Sequence, residues 1–209
     1  MFDPIQPHRP AIFLDRDGVL IEEVHYLSSV EQVRLLPGVV EGLRLLERSG
    51  FELVVVTNQA GVARHFFPES QVRVIHDHLE DLLASQGIGI RDWKYCPHHP
   101  TEGIGEYKVD CLCRKPKPGM LLEAAAEHGI NLKASFLIGD KRSDLEAGAA
   151  AGCRTTLVRT GHGSSEERNL LPGLPGFLGI CDTLAEAARL VLRAPQRESF
   201  SNIPVRAWA

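Results

Sequence analysis

Short, largely apolar runs alternate along this chain with longer stretches whose apolar residues recur every three or four positions. Ala11-Ile12-Phe13-Leu14, residues 51–56 and residues 135–139 are runs of the first kind. Such runs fit strands buried on both faces, where no polar alternation is needed. Between them, Val39, Val40, Leu43 and Leu46 follow Pro37-Gly38 and stop at Gly50, the start and stop signals of a helix. After Pro68, Val72, Ile75, Leu79, Leu82 and Leu83 mark a second helix, with His76 and His78 expected on its polar surface. Pro118-Gly119 opens a third helix to about His128, closed by Gly129, and the alanine-rich stretch 144–151 makes a fourth, closed by Gly152. Further strands are expected over 92–95, 154–158 and 177–181, with a last helix over 183–193. Residues 16–36 and 160–176 read as irregular, and 194–209 as a polar tail.

Strands separated by helices imply βαβ units and therefore an α/β fold, a doubly wound and mostly parallel sheet. In that architecture ligands bind beyond the carboxyl ends of the strands. Three of the runs end on polar residues, Asp15, Thr57 and Asp140. The fold rule gathers these three on one rim although they lie far apart in sequence.

Length and charge narrow the partners. The chain has 209 residues, enough for a single domain with one core at about 10–192. Its formal charge of −4 offers no basic face for nucleic acid and no polybasic membrane anchor. No apolar run approaches the ~20 residues of a membrane span, and no basic-then-apolar export signal stands at the start. A cytoplasmic monomer acting on a small molecule is the expectation.

Asp15-Arg16-Asp17-Gly18 is the sharpest local signal. Such a tetrad also occurs as a plain turn after a strand. Here two carboxylates one residue apart can face one pocket, and Gly18 lets the backbone turn close to a ligand. Asp140, and Asp144 beyond it, add acids that repel one another unless a hard cation such as Mg²⁺ sits among them. A carboxylate nucleophile beside Mg²⁺ is what attack on a phosphate ester needs. The five cysteines are odd in number and unlike a disulfide framework. Cys96, Cys111 and Cys113 cluster with His98 and His99 in a polar segment at about 96–115. Three thiolates and one imidazole form the ligand set of a closed structural zinc site. Cys153 and Cys181 read as small core residues.

Together these motifs resemble the haloacid dehalogenase superfamily of phosphatases. Asp15-Arg16-Asp17-Gly18-Val19-Leu20, Thr57-Asn58-Gln59, a following lysine and Gly139-Asp140-Lys141 with Asp144 occur in that family's order. Cys96-Pro97-His98-His99-Pro100 and Cys111-Leu112-Cys113-Arg114-Lys115-Pro116 are closer still to its heptose bisphosphate and histidinol-phosphate phosphatase branch. The resemblance implies a Rossmann-like core with a zinc loop and no large cap domain. It implies Asp15 as nucleophile and Asp17 as general acid and base, with Asp15, Asp17 (through its carbonyl) and Asp140 holding Mg²⁺. It places Thr57, helped by Asn58, on the phosphoryl group, and makes Lys115 rather than Lys117 the phosphoryl clamp. Arg114 would contact substrate, Glu23, His25 and Tyr26 would line its pocket, and Lys141 would pair with the acids. His98 rather than His99 would join Cys96, Cys111 and Cys113 on zinc. The activity implied is release of the 7-phosphate of a heptose 1,7-bisphosphate, with histidinol phosphate as the alternative substrate. A non-catalytic phosphosugar-binding protein on the same fold is the remaining alternative.

Overall fold

The computed structural model describes residues 9–170 and 173–195; the tail expected over 194–209 lies, beyond its first two residues, outside the described residues. The first strand, β1 (Ala11–Leu14), leads through an irregular segment to α1 (Val39–Arg48), β2 (Glu52–Asn58), a single turn α2 (Ala60–Ala63) and α3 (Glu69–Ala84). β3 (Asp92–Cys96) precedes the cysteine loop and α4 (Gly119–His128). Then follow β4 (Phe136–Gly139), α5 (Arg142–Ala150), β5 (Arg154–Val158), a short α6 (Gly163–Glu166), β6 (Phe177–Cys181) and α7 (Leu184–Arg193). The six strands pair in the order β3-β2-β1-β4-β5-β6, all parallel.

The apolar runs are continuous because both faces of the sheet are covered. Ile12, Leu14, Leu53, Val55, Phe136 and Ile138 join one core with residues of α1, α3 and α7. Their alternate neighbours Ala11, Phe13, Val54, Val56 and Leu137 join a second with Met120, Leu121 and Ala124 of α4 and Ala147 of α5. Cys153 and Cys181 are buried at the edges of these cores, as small apolar residues.

Three expectations change. The helix placed over 144–151 begins at Arg142, because the Asp144 carboxylate reaches back to accept the Lys141 N–H at 3.0 Å and caps the first turn. The segment 160–176 is not all loop: it holds α6 and a 3₁₀ turn, Glu167–Asn169. His76 is not a surface residue; it is 5 % exposed, its ring 4.9 Å from that of Trp93 on the edge strand β3. The aromatic edge strand widens the buried stripe of α3 by one position, from Ile75 to His76. Burial, with the Arg16 cation adding to it, pushes the His76 imidazole down to about 3. Between β1 and α1 there is one 3₁₀ turn (Val30–Gln32), and between β2 and α3 only α2, so neither segment builds a cap domain. Among the described residues, no helix is long and apolar enough to cross a membrane.

Candidate active site

From β1 the sheet runs outward to β2 and β3 on one side and to β4, β5 and β6 on the other. The chain thus reverses direction across the sheet at the β1–β4 pair, and a crevice opens beyond the carboxyl ends of those two strands. Asp15 follows β1, Asp140 follows β4, and Thr57 stands at the end of β2. One carboxylate oxygen each from Asp15, Asp140 and Asp144 lies within 4.8 Å of the others, all three residues buried. The backbone is moulded around Asp140. Gly18 has φ +81°, and a Cβ there would come within 2.2 Å of Asp140 Oδ2; the corresponding distance at Gly161 is 2.3 Å. The same Oδ2 accepts the His162 N–H at 2.8 Å, whereas Oδ1 is buried without a hydrogen-bond partner among the described residues. Burial, and then the charge of Asp15, raise Asp140 to about 8. A group of acids this crowded, with one oxygen unsatisfied, suits a hard divalent cation.

Lys115 enters the same crevice from the cysteine loop and is 3 % exposed. Its Nζ donates to the Val56 carbonyl at 2.7 Å and lies 3.1 Å from Asp15 Oδ1 and 2.6 Å from Asp144 Oδ1. Burial opposes its charge, but Asp144 and Asp15 outweigh burial and raise it, so the ammonium is retained. Asn58 fixes the lysine from behind. Its amide donates to the Lys115 carbonyl at 3.0 Å and accepts the Lys115 N–H at 3.1 Å. Asn58 lines the cleft, and each of its polar atoms makes one hydrogen bond to the Lys115 backbone, which positions the lysine. Thr57 is buried beside it, its hydroxyl accepting from Gln59 Nε2 at 2.9 Å.

Asp17 faces the cleft one residue past the fork of the site. Its carboxylate is held by the Arg16 guanidinium and by Gln59 Nε2 at 2.9 Å. The cleft encloses about 460 Å³ and continues from Asp15 and Asp17 past Glu23, His25, Tyr26 and Arg114. Lys141 lies 3.1 Å from Glu23 and 3.8 Å from Asp140, the pairing with acids that the sequence suggested. Burial works against its charge, and Asp15, Asp140 and Glu23 raise it in spite of that. Tyr26, at φ 57°, is pressed between His25 and Phe66, with ring centroids 4.4 and 4.6 Å away. Arg114 donates from Nη1 to the His98 carbonyl at 3.0 Å, tying the mouth of the cleft to the cysteine loop. Lys117 is partly exposed and paired with Asp110 at 2.5 Å, away from the cleft. His65 is not among the cleft residues; its ring lies 6.1 Å from Tyr107.

Three contributors have roles that no local motif marks: Gln59, which donates to Asp17 and Thr57, His162, whose N–H meets Asp140, and Arg16, which turns onto Asp17. The glycine pair Gly161 and Gly163 around His162 was the available signal, since glycines there allow a backbone N–H to approach a carboxylate.

The cysteine loop closes on itself. Cys96 Sγ is 3.4 Å from Cys111 Sγ and 3.8 Å from His98 Nδ1. Cys113 Sγ is 3.1 Å from Cys111 Sγ and 3.5 Å from His98 Nδ1. A tetrahedral ion with Zn–S of about 2.3 Å gives ligand–ligand edges of about 3.8 Å, so the four atoms fit around one zinc with a slight expansion. A hydrogen bond from Cys96 favours Cys113 as thiolate and pushes Cys96 up in turn. His99 turns elsewhere, with Nδ1 accepting the Glu102 N–H at 3.1 Å.

Comparison with known proteins shows the family. A family model described as HAD-hyrolase-like matches residues 112–187. The D-glycero-beta-D-manno-heptose-1,7-bisphosphate 7-phosphatase of Haemophilus influenzae is 41% identical over 184 residues, 88% of this chain and 97% of that protein. The D-glycero-alpha-D-manno-heptose-1,7-bisphosphate 7-phosphatase of Photorhabdus laumondii is 43% identical over 155 residues, 74% of this chain and 85% of that protein. Among solved structures, the D,D-heptose 1,7-bisphosphate phosphatase of B. bronchiseptica, complexed with magnesium and phosphate, superposes with a TM-score of 0.77. It is 34% identical, and the match covers 88% of this chain and 98% of that one. Identity at this level over nearly the full length of the relatives means that the chain belongs to the heptose 1,7-bisphosphate 7-phosphatase family of haloacid dehalogenase-like phosphoric monoester hydrolases.

Proposed function

We propose that this chain is a Mg²⁺-dependent phosphomonoesterase that removes the 7-phosphate of D-glycero-D-manno-heptose 1,7-bisphosphate through an aspartyl-phosphate on Asp15. The observation that carries this reading is the convergence of Asp15, Asp140 and Asp144 within 4.8 Å, with the Lys115 ammonium 3.1 Å from Asp15. Mg²⁺ held by the carboxylates of Asp15 and Asp140 and the carbonyl of Asp17 would neutralise the phosphoryl oxygens. An Asp15 carboxylate oxygen attacks phosphorus, and the bond from phosphorus to the sugar oxygen breaks. That oxygen keeps the electron pair and takes a proton from the Asp17 carboxyl. Water then attacks the acyl phosphate, Asp17 accepts its proton, and Asp15 is freed with inorganic phosphate released. Lys115 and Thr57 neutralise and orient the transferring group, and Asn58 keeps Lys115 in place. Asp144 holds the Lys115 ammonium opposite Asp15.

A cleft of about 460 Å³ suits a bulky, doubly charged ester. Arg114 and Lys141 are the cations available to the rest of the substrate, with Glu23, His25 and Tyr26 beside its sugar hydroxyls. Zinc on Cys96, His98, Cys111 and Cys113 would do no chemistry; it would order the loop that delivers Arg114 and Lys115. The enzyme would work as a cytoplasmic monomer.

The test compares kcat/KM on the α and β anomers of the heptose bisphosphate and on histidinol phosphate. At least one heptose anomer is expected to exceed histidinol phosphate by about 100-fold or more. A preference for histidinol phosphate would overturn the substrate assignment. Absence of Mg²⁺-dependent phosphate release from all three would overturn the enzymatic reading.

A further inference from the structure

We propose that Arg16 is a positioning residue for the proton-transfer step, its guanidinium fixing the Asp17 carboxylate so that Oδ1 addresses the leaving oxygen. This rests on the reading of Asp17 as general acid and base.

Arg16 stands between two acidic residues and would be expected to point outward into water. Instead it is the largest of the fully buried side chains, 1 % exposed. The turn that follows explains how adjacent side chains can meet. The Arg16 carbonyl accepts the N–H groups of Leu20 and Ile21 at 2.9 and 3.1 Å, and Gly18 N donates to the Ile21 carbonyl at 2.8 Å. With Gly18 at φ 81°, the chain curls tightly and brings the guanidinium beside the next residue's carboxylate. Nε lies 3.3 and 3.2 Å from Asp17 Oδ1 and Oδ2, and Nη2 lies 3.0 and 2.9 Å from the same atoms. The two nitrogens of the fork each lie at similar distances from both oxygens, a crossed contact that anchors the carboxylate in place.

The two oxygens are not equivalent. Oδ2 also accepts from Gln59 Nε2 at 2.9 Å, which fills its remaining capacity. Oδ1 has only the two guanidinium contacts, against three donors on Oδ2, and is the less saturated oxygen for a transferable proton. Stability alone does not account for the arrangement. A buried guanidinium with one carboxylate partner recovers its desolvation poorly. Its Nη1 is moreover buried with no hydrogen-bond partner among the described residues.

A positioning role and a structural role separate by leaving group. An alkoxide needs a proton in order to depart, whereas 2,4-dinitrophenolate leaves as a stable anion. Arg16→Gln and Arg16→Lys, checked for folding by circular dichroism and thermal melting, are compared with wild type on an alkyl phosphate and on 2,4-dinitrophenyl phosphate. The quantity read is kcat/KM, which excludes the later hydrolysis of the aspartyl-phosphate. Arg16→Gln should lose about 100-fold on the alkyl ester and less than about 5-fold on the aryl ester. It should also show a stoichiometric burst of dinitrophenolate, because the water step also uses Asp17. Arg16→Lys keeps the buried charge without the fork and should show the same split, about 10-fold. If only the lysine variant folds, its split alone decides. Equal losses on both esters in a folded variant, with no burst, would make Arg16 structural and overturn the proposal. Asp17→Asn run in parallel keeps the two readings apart. If it spares the alkyl ester, the assignment of Asp17 fails, whatever Arg16 does.

Discussion

The carboxylate crevice and the cysteine loop each gather side chains that could hold a metal ion, but they are built in opposite ways. The crevice draws Asp15, Thr57, Lys115, Asp140 and Asp144 from across most of the chain, and the sheet places most of them. Two lysines already offset part of its charge, so the fold can hold the site before any cation arrives. The loop takes its four ligands from residues 96–113, and beyond Cys96 only one 3₁₀ turn (Gly105–Tyr107) lies in that segment. Sheet order makes the first site, and zinc would make the second. The two should therefore fail differently when perturbed.

The largest expected effect sharpens that contrast. Asp15→Asn should reduce turnover by about 10⁴-fold or more while leaving the melting temperature within a few degrees of wild type. Wild-type turnover in the purified variant would refute the nucleophile assignment. Lys115→Met comes next, because it strikes the crevice where charge compensation is structural. Removing the ammonium leaves Asp15 and Asp144 facing each other in a buried space, which should cost about 3 kcal/mol in urea unfolding as well as most of the activity. A stable but inactive variant would show that the acids find another counter-charge.

Cys113→Ser tests the loop. It should lose bound zinc by metal analysis and become sensitive to proteolysis within 97–112, with activity falling about 10- to 100-fold and the circular dichroism of the core unchanged. Full activity in a folded, zinc-free protein would break the link between the loop and Lys115. The smallest effect is a pH slope in the metal-free protein. Asp140 has its folded value raised from 3.8 to about 8, so between those values the folded state binds the extra proton. Its contribution to stability is complete below 3.8 and is lost as pH rises through about 8. Mg²⁺ bound at Asp140 would replace that proton, so the gain in melting temperature on adding Mg²⁺ should grow over the same range. A gain independent of pH would place the cation elsewhere.

Much of the crevice was legible because its markers are local. An apolar run ending in an acid can be recognised at Asp15 and at Asp140 without knowing which strands are neighbours. The same holds for the cysteine loop, whose Cys96–His98 and Cys111–Cys113 spacings are written over a few residues. His76 shows the limit. Its helical phase sits at the border of the apolar stripe, and only the aromatic edge strand β3 makes that border interior. Asn58 shows another limit, since its hydrogen bonds to the Lys115 backbone join residues 57 positions apart.

By itself, then, the sequence determined the parallel α/β class, the ends of the functional strands and the composition of both metal-shaped clusters. These follow from periodicity, punctuation and close spacing, which act within about a dozen residues. The tertiary structure alone decided that β4 lies against β1, which sets Asp144 against Lys115 and the His162 N–H on Asp140. It also decided that Arg16 turns inward onto Asp17. Strand order and the burial of a charged side chain depend on contacts between segments distant in the chain, and no local pattern of polarity encodes those contacts.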